Sequence, residues 1–208
     1  MTPLETIGRL RVVPVVVLDR VEDAAPLADA LQAAGLPCME ITFRTEAAEA
    51  AIRSVADRSE LLVGAGTVLS VEQAQRAVDA GARFLVSPGI AADVVEWAAD
   101  QGVPITPGIA TPTDLTLATA LGLEVVKFFP AEAYGGLKTL KALAGPFPAM
   151  KFVPTGGLNA DNYRSYLAHP RVHAIGGSWM VKGEWIREGR FDEIERVSRA
   201  AVEVEADR

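Results

Sequence analysis

The stretch "LLVGAGTVLSVEQAQRAVDAGARFLVSPG" (residues 61–89) indicates the fold of this chain in a single unit. A short apolar run, "LLVGAG" (61–66), opens it, and a second, "RFLVSPG" (83–89), closes it. Between them "SVEQAQRAVDAG" (70–81) has apolar residues at helical spacing, a serine suited to cap the helix and a glycine suited to follow its end. A strand, a helix and a second strand in this order predict a βαβ unit with parallel strands.

The same alternation extends in both directions along the chain. Helical periodicity recurs in stretches such as "EDAAPLADALQAAG" (22–35) and "AADVVEWAADQG" (91–102). The apolar, β-branched runs number eight and begin roughly 20 to 28 residues apart: 12–18, 37–43, 61–66, 83–89, 103–108, 123–129, 151–157 and 172–178. Eight such units favour a (β/α)8 TIM barrel formed by residues 1–208 as a single domain. An open doubly wound sheet is the alternative, but no GxGxxG fingerprint follows the first run.

Composition excludes several classes of function. The formal net charge of −7 argues against nucleic acid or an anionic membrane as a partner. The single cysteine, Cys38, cannot form an internal disulfide and suits the reducing cytoplasm. The apolar run 12–18 is too short to span a bilayer. With only two histidines, His169 and His173, and no cysteine cluster, we expect no metal site and a structural role for both histidines.

Side-chain alternation indicates which residues of the second and sixth runs point into the barrel. In the second run, alternate residues Met39, Ile41 and Phe43 are apolar, so this set should face the helices. The opposite parity then points inward and comprises Cys38, Glu40, Thr42 and Arg44. In the sixth run Lys127 shares a parity with Val125 and Phe129, so it can also point inward.

Most of these polar residues come late in their strands. Thr67 closes the third predicted strand, Pro88 follows the fourth, and Thr155 closes the seventh. Active sites of such barrels form at the carboxyl ends of the strands. An inward Glu and Lys alone are as consistent with a structural ion pair as with a site. The convergence of a carboxylate, a lysine, an arginine and two threonines on one mouth favours the site.

Lys127 has the features of a Schiff-base nucleophile. An amine attacks a ketone only in its neutral form, and burial among apolar side chains favours that form. The iminium that results acts as an electron sink for cleavage of the neighbouring carbon–carbon bond. Glu40 is suited to move the protons of this reaction, and the planar fork of Arg44 suits a substrate carboxylate.

Two Gly-Gly pairs predict a phosphate site after the seventh and eighth strands. Gly156 and Gly157 follow the seventh strand, and Gly176, Gly177 and Ser178 follow the eighth. Glycine lets backbone N–H groups approach an anion closely, and the corresponding loops of many barrels hold a phosphate.

The motifs "MEITFRT" (39–45), "GAGTVL" (64–69), "SPG" (87–89), "VVKFFPAEAYGG" (125–136), "PTGG" (154–157) and "IGGSW" (175–179) resemble the 2-keto-3-deoxy-6-phosphogluconate (KDPG) aldolase family. This resemblance extends from about residue 8 to residue 200. It implies a homotrimeric, cofactor-free and metal-free class I aldolase of the Entner–Doudoroff pathway, which cleaves a phosphorylated keto acid to pyruvate and glyceraldehyde 3-phosphate. A side activity on 4-hydroxy-2-oxoglutarate is also implied.

The resemblance also implies a role for each matched residue. Lys127 corresponds to the Schiff-base lysine and Glu40 to the acid/base. The substrate-binding positions are Arg44 and Thr67 for the pyruvate carboxylate, Pro88 and Phe129 for the pocket walls, Thr155 for the hydroxyls, and Gly156, Gly157, Gly176, Gly177 and Ser178 for the phosphate. Thr155 favours the gluconate-derived substrate, because related galactonate-type enzymes tend to have an apolar residue there.

Two other functions remain open from the residues themselves. A phosphosugar isomerase barrel would use the glycine loops with Glu40 as its base and would not need Lys127. A catalytically silent module would bind a sugar phosphate without releasing pyruvate.

Overall fold

The architecture is α/β, with parallel strands alternating with helices along the chain. The computed structural model describes residues 1–206, and side chains through residue 202. Its strands are β1 (Val12–Val16), β2 (Cys38–Thr42), β3 (Leu62–Gly66), β4 (Leu85–Val86), β5 (Ile105–Thr106), β6 (Gly108–Ile109), β7 (Val125–Phe128), β8 (Lys151–Pro154) and β9 (Ile175–Gly177). Every apolar run predicted as a strand contains one, so this prediction is confirmed.

Helices follow the strands as the periodicity predicts, and one further helix precedes β1. They are α1 (Pro3–Leu10), α2 (Ala24–Ala33), α3 (Ala48–Val55), α4 (Val71–Asp79), α5 (Ala92–Asp100), α6 (Pro112–Ala120), α7 (Gly136–Ala144), α8 (Tyr163–Leu167), α9 (Gly183–Arg187) and α10 (Phe191–Ala206), and a 3-10 turn (Val21–Asp23) precedes α2. Ser70 caps α4 by accepting the backbone N–H of Gln73. Thr111 and Asp114 form a capping box on α6.

The strands form two parallel sheets. One has the order β5-β4-β3-β2-β1-β9, and the other has the order β6-β7-β8. The fifth apolar run contributes to both sheets, since Pro107 separates β5 from β6 and has no N–H to donate. Isolated parallel bridges pair Thr155 with Gly176 and Phe152 with Val172, and these lie between β8 and β9.

Strand residues alternate between two separate hydrophobic clusters. Met39 and Ile41 belong to the larger cluster, which includes the buried faces of the helices. Cys38 belongs to a smaller interior cluster with residues such as Phe84 and Val125. Phe43 is partly buried and packs against the larger cluster. The predicted parity of the second and sixth runs is therefore confirmed, and it places Glu40 and Lys127 on the interior side.

Helix α1 was not predicted from the sequence. A capping box between Thr2 and Glu5 starts it, with Pro3 at its first position. Ile7 is buried in the interior cluster with Cys38 and Leu62, the first residues of β2 and β3. The helix thereby covers the amino ends of the strands, opposite the end at which the polar residues converge.

His173 secures α1 to this end of the molecule. Its ring nitrogen Nε2 lies 2.8 Å from the carbonyl oxygen of Leu4. A Cβ atom on Gly8 would lie 2.5 Å from the imidazole ring, so glycine is needed for this close packing. Burial lowers the pKa of His173, the hydrogen bond that its ring donates to the Leu4 carbonyl opposes this, and the cations Lys151 and Arg11 lower the pKa further.

We expect His173 to make the protein less stable in mild acid. A folded-state pKa below the ordinary value of about 6.5 means that the folded chain binds fewer protons than the unfolded chain. The stabilisation is therefore complete above about pH 6.5 and is lost progressively as the pH falls below it. Urea unfolding of wild type and His173→Gln at about pH 7.5 and about pH 5.5 checks this. The free energy of unfolding should fall less on acidification in the variant, and an equal fall would contradict the assignment.

Candidate active site

Lys127 and Glu40 meet inside the sheet, although 87 positions separate them in the chain. Strand β7 carries Lys127 and strand β2 carries Glu40. The Nζ atom of Lys127 lies 3.6 Å from Oε1 of Glu40, with side-chain exposures of 7% and 4%. Buried charges are retained where they are paired, and these two groups are close enough to exchange protons through a substrate atom or one water.

The carboxylate of Glu40 is closely packed, but one of its oxygens accepts no hydrogen bond. Its Oε1 atom is buried and has no hydrogen-bond partner in the described part of the chain. A Cβ atom on Gly66 would lie 2.1 Å from this same oxygen, so only glycine leaves room for the carboxylate. A buried carboxylate oxygen that accepts no hydrogen bond is costly for stability, which favours a role in which a ligand completes the site.

The pair lines an interior cavity together with residues from several strands. Thr155 and Thr106 contribute hydroxyls, and the apolar lining includes Val13, Phe84, Val86 and Val153. Thr106 is 4% exposed and was not among the site residues predicted from the sequence. Its position late in the fifth run, with the parity opposite to Val103 and Ile105, was the signal that could have found it. Phe129 borders the site, with Lys127 Nζ 4.9 Å from its ring centroid.

Arg44 lies above this cavity, at the mouth. The Thr42 hydroxyl donates to the Val16 carbonyl at 2.9 Å and accepts the Nε–H of Arg44 at 3.2 Å. Thr42 is buried and therefore anchors an arginine whose guanidinium is otherwise exposed. Arg44 lines a surface pocket with Ser178 and Lys182, so the structure brings it to the mouth rather than into the interior cavity.

Thr67 follows β3 directly and Pro88 comes two residues after the end of β4, as expected for residues at the mouth. Thr67 is half-buried and has a left-handed backbone, with φ of 58°. Such a conformation is uncommon for a residue other than glycine and is found at functional sites. The carbonyl of Pro88 packs so closely on Gly108 that a Cβ atom there would lie 2.0 Å from its oxygen. The cavity of Glu40 and Lys127 is lined by other residues.

The two Gly-Gly pairs lie next to each other, joined by the bridge between Thr155 and Gly176. Gly156 and Gly157 have φ of 96° and 82°, which other residues rarely adopt. Gly176 and Gly177 instead belong to strand β9, and the space of their missing side chains is filled by Thr155 and by the ring of Trp179.

Glu132 and Tyr166 support the loop that carries Gly157. The Tyr166 hydroxyl donates to Glu132 Oε1, and burial together with this contact raises the pKa of the phenol. The backbone N–H of Glu132 donates to the Gly156 carbonyl at 3.1 Å. A Cβ atom on Gly157 would lie 2.6 Å from Cβ of Glu132, so the two loops are in close contact.

Within residues 1–206, no group of three or more His, Cys, Asp or Glu side chains is arranged to hold a metal ion. None of the helices described is both long enough and apolar enough to cross a membrane.

Comparison with known proteins identifies the family. The Aldolase family profile described as KDPG and KHG aldolase matches residues 4–197. The chain belongs to the KDPG and KHG aldolase family. A 2-dehydro-3-deoxy-phosphogluconate aldolase of Treponema pallidum (strain Nichols) is 50% identical over 205 residues, which cover 98% of each chain. A KHG/KDPG aldolase of Escherichia coli (strain K12) is 47% identical over 193 residues, covering 92% of this chain and 91% of the relative.

A solved structure of the same family is similar over nearly the whole chain. The crystal structure of the KDPG aldolase of Legionella pneumophila superposes with a TM-score of 0.92 at 39% identity. The alignment covers 96% of this chain and 98% of that one. That protein holds pyruvate captured at low pH as a covalent carbinolamine intermediate. The resemblance noted from the motifs is therefore confirmed.

Proposed function

We propose that this protein is a class I aldolase that cleaves 2-dehydro-3-deoxy-6-phosphogluconate to pyruvate and glyceraldehyde 3-phosphate. The observation that carries the proposal is the buried contact of 3.6 Å between Lys127 and Glu40 on the interior side of the strands. In the described part of the chain, Lys127 is the lysine that lines the interior cavity together with a carboxylate. The family relatives named 2-dehydro-3-deoxy-phosphogluconate aldolase support the substrate.

The chemistry follows from this pair. The neutral amine of Lys127 adds to the C2 ketone to form a carbinolamine, which loses water to become an iminium. Glu40 takes the proton of the C4 hydroxyl as the C3–C4 bond breaks, and the bonding electrons move to the iminium nitrogen. Glyceraldehyde 3-phosphate leaves, and an enamine of pyruvate remains on Lys127. Protonation at C3 followed by addition of water releases pyruvate and restores the free amine.

We assign the remaining positions to substrate binding. Arg44 and Thr67 hold the pyruvate carboxylate, for which the guanidinium is suited by charge and shape. Pro88 and Phe129 form the walls, and Thr155 hydrogen-bonds the hydroxyls of the substrate. The phosphate is bound by backbone N–H groups and one hydroxyl at Gly156, Gly157, Gly176, Gly177 and Ser178. No metal ion and no cofactor takes part in this scheme.

The proposal extends to the architecture and its setting. We infer a closed (β/α)8 barrel formed as one domain by residues 1–208, in which β5 and β6 are one strand interrupted at Pro107. Two observations support closure. The apolar run 103–108 contributes a strand to each sheet, and the bridge between Thr155 and Gly176 lies between β8 and β9. We also propose a cytoplasmic homotrimer of the Entner–Doudoroff pathway. A side activity on 4-hydroxy-2-oxoglutarate is supported by the relative named KHG/KDPG aldolase.

Reductive trapping tests the proposed function. Borohydride added in the presence of pyruvate should reduce the iminium and attach a three-carbon adduct to the enzyme irreversibly. Peptide mass spectrometry should find this adduct on Lys127, with the other four lysines unmodified. Borohydride without pyruvate is the control. Absence of an adduct, or an adduct on another lysine, would show that the mechanism is wrong.

A further inference from the structure

Lys182 lies at the mouth of the candidate site, in the loop that follows β9. It is exposed and lies directly before helix α9. It lines the same surface pocket as Ser178, which we assign to the phosphate, and Arg44, which we assign to the carboxylate. The pocket also contains apolar residues, among them Leu158 and Val181.

The charge of Lys182 is available to a ligand. Its Nζ atom lies 4.6 Å from the ring centroid of Trp185. Among the described residues its ammonium forms no ion pair with a carboxylate, whereas nearby Arg187 is paired with Asp19 at 3.6 Å. Contact with an aromatic face restricts a lysine without neutralising it, which lowers the entropy lost when the side chain binds an anion.

The negative charge of the proposed substrate favours a cationic side chain at its binding site. It carries a carboxylate and a phosphate dianion, and it approaches a protein with a formal net charge of −7. The glycine loops and Ser178 offer only neutral hydrogen-bond donors to the phosphate. Arg44 and Lys182 are the cationic residues that line the mouth pocket, and Arg44 is assigned to the other end of the substrate.

We propose that Lys182 is a specificity-determining residue that binds the phosphate of the substrate from the loop after β9. The inference rests on the proposed function, because it assigns one more contact to that same site. It predicts that Lys182 contributes to recognition of phosphorylated substrates and not to the chemistry at Lys127. Its contribution is electrostatic and exposed, so salt screens it.

Kinetics of Lys182→Gln test this role. We expect KM for 2-dehydro-3-deoxy-6-phosphogluconate to rise about three- to tenfold, the range for an exposed charge-assisted contact, with kcat little changed. Lys182→Arg, which keeps the charge, should retain most of the affinity. Added potassium chloride should raise KM more steeply in wild type than in Lys182→Gln.

Two comparisons separate this inference from its alternatives. Lys151→Gln makes the same change in net charge at the start of β8, at the other end of the strands, and should leave KM unchanged. Deuterium exchange at the methyl group of pyruvate uses Lys127 and Glu40 without a phosphate, so it should be equal in wild type and Lys182→Gln. If KM is unchanged in Lys182→Gln, or rises equally in Lys151→Gln, the inference is wrong while the aldolase activity of wild type stands. If wild type releases no pyruvate, the proposed function itself fails.

Discussion

Replacement of Lys127 by arginine is expected to abolish pyruvate release, with a fall in kcat of at least about 10³-fold, the scale of losing a covalent nucleophile. Arginine retains a positive charge beside Glu40, so the buried carboxylate keeps a cationic neighbour. Its guanidinium cannot become a neutral nucleophile in a protein. A lactate dehydrogenase-coupled assay measures the released pyruvate, and the reductive trapping with borohydride should find no adduct in the variant.

The comparison variant is Lys127→Met, which removes the charge and keeps an unbranched chain of similar length. It leaves Glu40 without its cation in a dry cavity, so we expect a lower free energy of unfolding as well as lost activity. Loss of activity in both variants, with a stable fold in Lys127→Arg, assigns the effect to the nucleophile. Retained turnover in Lys127→Arg would favour the isomerase-type alternative, in which Glu40 acts as a base without a Schiff base.

Replacement of Glu40 by glutamine is expected to lower kcat by about 10²- to 10⁴-fold, the range for loss of a general acid/base. The amide has the shape of the carboxylic acid and fits the space that Gly66 leaves, where a Cβ atom would lie 2.1 Å from Oε1. Lys127 is still present, so reductive trapping of pyruvate should continue at a reduced rate. Deuterium exchange at the pyruvate methyl group should fall with kcat, because both need the same proton transfer.

Glu72→Gln provides the matched control for this variant. Glu72 is exposed in the first turn of α4, so its replacement removes one carboxylate without touching the cavity. Its kcat should equal that of wild type. Equal methyl exchange in wild type and Glu40→Gln would contradict the proposed role of Glu40 and point to another group as the acid/base.

Much of the site follows from short-range pattern. The spacing of apolar runs predicted the strands, and alternation within "PCMEITF" and "LEVVKFF" placed Glu40 and Lys127 on one side of the sheet. Parity is reliable here because a strand buried on both faces has only two directions for its side chains. The motifs then indicated the family, which the profile match over residues 4–197 confirms.

Other features depended on where distant segments come to lie. Helix α1 is short and stands outside the repeating pattern, and its place under the strands depends on Ile7 and on the contact of Leu4 with His173. Thr106 is one polar residue in a short apolar run, and only the tertiary structure shows that it lines the cavity around Lys127. Pro107 divides the fifth apolar run into β5 and β6, which belong to different sheets. This division depends on the strands that pair with each half, β4 on one side and β7 on the other.

The sequence by itself therefore determined the alternation of strands and helices and the inward direction of Glu40 and Lys127, the pair proposed to react. Those properties depend on residues within one strand or one βαβ unit, where backbone geometry allows each side chain only two directions relative to the sheet. The tertiary structure alone decided the 3.6 Å contact of Lys127 with Glu40 and the meeting of Arg44, Ser178 and Lys182 at the mouth. Such contacts depend on strand register and on loop conformation across the whole chain, and neither can be deduced from spacing along one segment.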